Sequence, residues 1–189
     1  KAVTNDGLIT SPNGDVILAA GNSVELVNPG TPNLRVEIVS PDNEAKNLGS
    51  ITADAGRIGI YAGLIQHSGS LRADSAVVEG GRILLKASKN VHLAAASQTS
   101  ASGVTGGRVD IQAGDTTIVE GDIAATGSAG AGGTVQVLGN LVGLTGHANI
   151  DASGNTQGGT VLVGGDFQGK NPEVQNAFRT YVGPDVTIN

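Results

Sequence analysis

The densest group of residues able to do chemistry is acidic. Asp110, Asp115, Glu120 and Asp122 follow one another closely, with Arg108 beside them. Carboxylates gathered on one outer face with a basic residue suit polysaccharide cleavage, in which one group gives a proton and another takes one. That chemistry needs the acids to fall in phase. The residue 26 positions after Asp110 is Gln136, and after Asp115 it is Leu141, so the acids read instead as solvated turn charges. His67 and His92 each follow an arginine, Arg57 and Arg82, by ten residues, which suggests a metal-binding column. The equivalent positions further on are Ile118 and Leu144, so the column stops. Both histidines then read as solvated surface residues. Paired glycines also occur in calcium-binding β-rolls, but those repeat an aspartate within a nine-residue motif. Gly106-Gly107-Arg108-Val109-Asp110 does not repeat that way. No metal, cofactor or catalytic residue is therefore expected. What remains is a contact surface. Phe167, Phe178 and Tyr181 lie close together in sequence with Lys170 and Arg179, and aromatic and arginine anchors dominate interfaces. The plainer reading of the same residues is that the rings cover the side of the core.

Whatever these residues do, a repeat must position them. Four Gly-Gly pairs begin at Gly80, Gly106, Gly132 and Gly158, each 26 residues after the last. After one further residue, each is followed by a short run: Ile83-Leu84-Leu85, Val109-Asp110-Ile111, Val135-Gln136-Val137 and Val161-Leu162-Val163. A second run follows (Val91-His92-Leu93, Thr117-Ile118-Val119), and then a third (Leu71-Arg72-Ala73, Ile123-Ala124-Ala125, Ile150-Asp151-Ala152). Inward positions two residues apart, in runs broken by Gly, Ser, Thr, Asn and Asp, give strand periodicity, not helix periodicity. A fixed period in this range marks a solenoid. The expectation is a parallel β-helix of three short strands per coil, with about six coils at ~4.8 Å each making a rod roughly 30 Å long.

Composition agrees. Among 189 residues there are 30 glycines, two Phe, two Tyr and no Trp, Met or Cys. A compact globule would need larger side chains to fill its middle; a thin stack does not. The charge is −6 without a basic cluster, which argues against nucleic acid as a partner. No apolar run approaches the roughly 20 residues of a membrane-spanning helix. The chain opens on Lys1 and closes on Asn189 after a strand-like Val186-Thr187-Ile188, and it reads as a piece of something longer.

The whole of residues 1–189 is expected to be one β-helix with two surface excursions. An early coil is expected over Leu8–Leu26, with a turn at Ser11-Pro12-Asn13-Gly14, a first strand in Asp15–Gly21 and a second in Val24-Glu25-Leu26. A two-stranded arm is expected over about 29–46, because Leu34–Val39 alternates apolar and charged residues between proline-containing turns. The second excursion is expected over about 167–181, with a helix-like composition after Pro172. The glycines are expected to supply positive-φ turns and to let coils approach closely.

The runs Ala19–Leu26, Gly56–Gly63 and Gly164–Pro172 resemble the filamentous haemagglutinin family of two-partner secretion exoproteins. That resemblance implies a right-handed parallel β-helix, export through an outer-membrane β-barrel transporter and a place at the bacterial cell surface or outside the cell. The family's secretion domain carries Asn-Pro-Asn-Gly- and Asn-Pro-Asn-Leu-like motifs. Ser11-Pro12-Asn13-Gly14 and Thr31-Pro32-Asn33-Leu34 echo them only in part, so the chain is expected to lie in the shaft beyond that domain. The function expected is a structural or adhesive rod that displays binding regions. Its partners would be the transporter, surface glycans or proteins, and neighbouring coils of the same longer chain. The alternatives are a carbohydrate-active lyase or hydrolase on the same fold, or the stalk of a toxin-delivery exoprotein.

Overall fold

A computed structural model describes residues 1–21, 43–77 and 79–189. The chain winds as a parallel β-helix, and every strand pairing among these residues is parallel. Face one stacks Asp15–Ala19, 57–61, 82–87, Arg108–Ala113, Thr134–Leu138 and Thr160–Val163. Face two stacks Ala2–Asn5, Glu44–Asn47, 64–67, 90–93, Thr116–Val119, Leu141–Leu144 and Arg179–Val182. Face three stacks Leu8–Thr10, Ser50–Thr52, Ser70–Arg72, Gln98–Ser100, Asp122–Ala124, Asn149–Asp151 and Thr187–Ile188. In two coils, faces one and two are a single strand that turns the corner: Arg57–His67 and Arg82–Leu93.

The interior consists of columns, because parallel register repeats the same inward position in each coil. Face one contributes Val16, Ile58, Ile83, Val109, Val135 and Val161, with Leu18, Ile60, Leu85, Ile111, Val137 and Val163 beside them. Val109, Ile111, Val135 and Val137 are completely buried, as the repeat predicts, while Val161 and Val163 in the last rung are half-covered. Face three adds Ile9, Ile51, Leu71, Thr99, Ile123, Ile150 and Ile188. Alanines 53, 73, 101, 125 and 152 line the corner after it, where a larger side chain would meet the neighbouring columns.

The Gly-Gly pairs act through space rather than through φ. None of the paired glycines before Gly164 has a positive φ. A Cβ added at Gly81, Gly107, Gly133 or Gly159 would fall on the carbonyl oxygen of Gly56, Gly81, Gly107 or Gly133 in the coil below. Glycine is required there because two backbones touch.

Three expectations about boundaries change. The first excursion lies outside the described residues as far as 42, as does Val24-Glu25-Leu26. Its expected last residues do not leave the stack: Glu44–Asn47 pairs with Ala2–Asn5 below and 64–67 above, so it holds the second-face position of the early coil. The second excursion ends before 179, because Arg179–Val182 pairs with Leu141–Leu144. The helix-like stretch is one 3-10 turn, Phe167–Gly169, closed by the Asp166 carboxylate, which accepts from the Phe167 N–H at 2.6 Å. Beyond it a turn bond from the Val174 N–H to the Asn171 carbonyl at 3.2 Å is not continued as a helix, and Ala177 and Phe178 donate instead to the Gly164 and Asn140 carbonyls. The period shortens most where Glu44 pairs with Leu64, only 20 residues on, because a four-residue turn (53–56) replaces the longer Gly-Gly loop. Ala55 there takes φ 54°, as Asn13 does in the equivalent turn below.

Candidate functional site: a charged clamp, a buried histidine and an exposed ring cluster

The charged residues separate as soon as they are placed on faces. Asp110 belongs to face one, Asp115 to the corner after it, Glu120 to the corner before face three and Asp122 to the first position of face three itself. They do not converge, and no group of three or more His, Asp or Glu among the described residues is placed to hold a metal. Asp110 is not a solvated turn charge. It is buried and clamped by two arginines: the Arg82 guanidinium donates to Oδ2 from Nη2 at 2.9 Å and from Nε at 3.2 Å, and Arg108 Nε donates to it at 2.8 Å. Arg57, Arg82 and Arg108 stack in one column on successive coils, with Asp15 under Arg57 as its partner. Sequence reasoning missed this ladder. The signal was present as Gly56-Arg57, Gly81-Arg82 and Gly107-Arg108, one glycine–arginine step per coil. Beside the clamp lies a groove of about 230 Å³ lined by Arg82, Lys86, Arg108, Asp110, Gln136 and Glu173. The second excursion borders it: Gln175 donates to the Ala113 carbonyl at 3.2 Å and accepts from Gln112 at 3.2 Å.

The two histidines do not share a column. His92 stands over Gln66, and His67 lies under Leu93. His92 points out and meets Glu120 at 3.3 Å. His67 points in and is buried, which corrects the expectation of a surface residue. Burial pushes its imidazole below the ordinary histidine range, because a charged ring would lose its hydration; the backbone carbonyls of Gln98 and Asn47 oppose this only in part. Parity shows why. His67 is two residues beyond the inward Ile65, so it faces the core.

The expected contact residues divide between two elements. Phe167 stands on the 3-10 turn, 80% exposed, with Lys170 at its end, also exposed. Phe178 is the last residue of the excursion, 78% exposed. Arg179 and Tyr181 lie in the ladder on face two, in register with Leu141 and Gly143, and both are exposed. The Arg179 guanidinium lies 5.8 Å from the centre of the Phe178 ring, near the limit of a cation–π contact. The rings therefore present themselves to solvent instead of sealing the side of the coil. The result is a surface able to stack and to donate planar hydrogen bonds, without a cavity or an acid–base pair.

No family model matches the chain, and no curated protein matches it in sequence. Among solved structures, the chain is similar to the crystal structure of the HMW1 secretion domain from Haemophilus influenzae. The superposition has a TM-score of 0.71 at 22% identity. It covers 99% of this chain and 58% of that one, so this chain spans a little over half the length of its neighbour. The likeness is one of fold, and it runs along the entire stack.

Proposed function

We propose that this chain is a β-helical segment of a secreted bacterial surface exoprotein, and that it belongs to the portion that serves export instead of a distal shaft. The observation that carries this is the continuous likeness, over 99% of the chain, to a domain described as a secretion domain. It joins the resemblance of Ala19–Leu26 and Gly56–Gly63 to two-partner exoproteins. Physically, such a rod needs no cofactor or disulfide to fold, since each coil is ordered by the coil beneath it. That suits a chain that crosses an outer-membrane β-barrel extended and orders itself outside.

The test uses the full exoprotein with its outer-membrane partner in the native host. Removing one complete coil, residues 108–133, keeps the register, because Arg82–Ala87 and Thr134–Leu138 pair with the two opposite edges of the same strand at the same positions. Disrupting the stack with Val135→Asp does not. An export role predicts normal release for the coil deletion and retention in the periplasm for Val135→Asp. Equal release of both, with Val135→Asp shown to be misfolded, would make the segment a passive spacer. Adhesion is the finer reading, and it rests on the exposure of Phe178, Arg179 and Tyr181.

A further inference from the structure

The buried His67 is the last member of an internal polar ladder. Asn5, Asn47 and His67 occupy one inward column in the first three rungs of face two; Leu93, Val119, Leu144 and Val182 continue it. Hydrogen bonds run through the ladder in one direction. Asn5 Nδ2 donates to Asn47 Oδ1 at 2.8 Å, and Asn47 Nδ2 lies 3.2 Å from His67 Nδ1. His67 Nε2 lies 3.3 Å from the Gln98 carbonyl oxygen. A carbonyl only accepts, so Nε2 carries the proton, and the neutral ring offers its Nδ1 lone pair to Asn47. Asn47 Nδ2 also reaches the carbonyls of Gly49 and Ser70, both at 3.3 Å.

A second proton on His67 is poorly received, because the Asn47 backbone carbonyl beside the ring already accepts from the Ser68 and Gly69 N–H groups. It would sit on Nδ1, facing the Asn47 amide N–H group. Turning Asn47 over would offer its oxygen to the ring, but would abandon the Gly49 and Ser70 carbonyls and set an N–H group against Asn5 Nδ2. No charged partner is available to compensate. Charged groups on the packed elements are Glu44 and Lys46 below, Arg57 on the same strand, Arg72 on face three, Arg82, Lys86, Lys89 and His92 above, and Asp6 at the corner. All are partly or fully exposed, and none is a hydrogen-bond partner of the ring. We infer that the Asn5–Asn47–His67 ladder is an acid-sensitive lock on the first three rungs of face two, closed while the ring is neutral and loosened when it takes up a proton. The sign follows from linkage. A histidine that resists protonation in the fold binds more protons when unfolded, so its stabilisation is complete above the ordinary histidine range and declines as pH falls through it. The opening is local because the same column is apolar from Leu93 onward.

Amide exchange on the whole chain at pH 7.5 and 5.0, corrected for intrinsic rates, tests this. Peptides covering 44–52 and 64–72 should lose protection about threefold or more at pH 5.0, while those covering 134–151 hold theirs. His67→Leu copies the next rung and leaves Asn47 its two carbonyl partners, so it should abolish the difference; His67→Asn extends the asparagine column and should do the same. Nuclear magnetic resonance of the parent ring should show the Nε2–H tautomer, with a titration below the ordinary histidine range. Equal acid loss in the His67 variants, uniform loss along the rod, or an ordinary ring titration would each overturn the inference.

Discussion

Two buried threonines allow a prediction in which the same substitution has opposite signs. Thr99 stands in the inward column of face three, between Leu71 and Ile123, and is 1% exposed. Its hydroxyl is buried without a hydrogen-bond partner. Thr117 stands in an inward column of face two, between Val91 and Val142, and is equally buried. Its Oγ1 donates to the Leu138 carbonyl at 2.7 Å. Valine matches threonine in shape, and valine or a larger aliphatic residue already fills the adjacent rungs, so packing is held nearly constant. An unpaired buried hydroxyl costs about 1–3 kcal/mol. Thr99→Val should therefore stabilise the chain by about 1–2 kcal/mol and raise Tm by about 2–8 °C, on the scale of 2–4 °C per kcal/mol for a domain of this size. Thr117→Val removes a satisfied bond and strands a carbonyl, and should destabilise by about 1–2 kcal/mol. Paired thermal and urea melts would measure both. If the two variants shift stability in the same direction by similar amounts, the hydrogen-bond accounting in this interior is wrong.

Other expectations follow from the stack. Val135→Asp sets an unpaired carboxylate between Val109 and Val161 and should destabilise by several kcal/mol, read as loss of the strand-type circular dichroism transition at ordinary temperature. Gly133→Ala drives a Cβ onto the Gly107 carbonyl and should cost about 2 kcal/mol or more, whereas Gly158→Ala meets nothing within 4 Å and should stay within about 0.5 kcal/mol of the parent. Replacing Phe178 and Arg179 together by Ala should leave the melt within about 1 kcal/mol, since both side chains are exposed. The same double variant should abolish any binding of the chain to cells or glycan arrays; undiminished binding would move the contact surface elsewhere.

Most of the fold was legible because a parallel coil makes each rung an approximate copy of the last. The residues that align 26 apart in sequence, such as Val109 and Val135, are the residues that touch. What escaped was any feature that depends on which side of the strand a residue faces outside the regular units. His67 looked like a surface histidine because it was aligned by its distance from Arg57 rather than by parity from Ile65. Asp110 looked like a turn charge because its partner Arg82 lies in another coil, 28 residues away. The excursion limits were misplaced for a related reason. Arg179-Thr180-Tyr181 has little aliphatic character, and its strand is set by pairing with Leu141–Gly143 rather than by its own propensity. The exposure of Phe167, Phe178 and Tyr181 was not legible from their closeness in sequence, nor was their division between a turn and a ladder strand.

The uneven spacing of the coils bears on how such a rod can grow. Asn5 meets Asn47 across 42 residues, Asp74 meets Ser100 across 26, and Asp151 meets Asn189 across 38. Loop-closure entropy rises only with the logarithm of length, so a 42-residue step is harder to close than a 26-residue step by only about 0.4 kcal/mol. Each added coil buries a fresh row of the columns against the row before it, a gain set by the neighbouring coil alone. Ordering along this chain is therefore a nucleation followed by near-identical additions, and an insertion at a corner delays one addition without interrupting the series. A rod built this way can acquire new surface loops between coils while its growth remains a nearest-neighbour process.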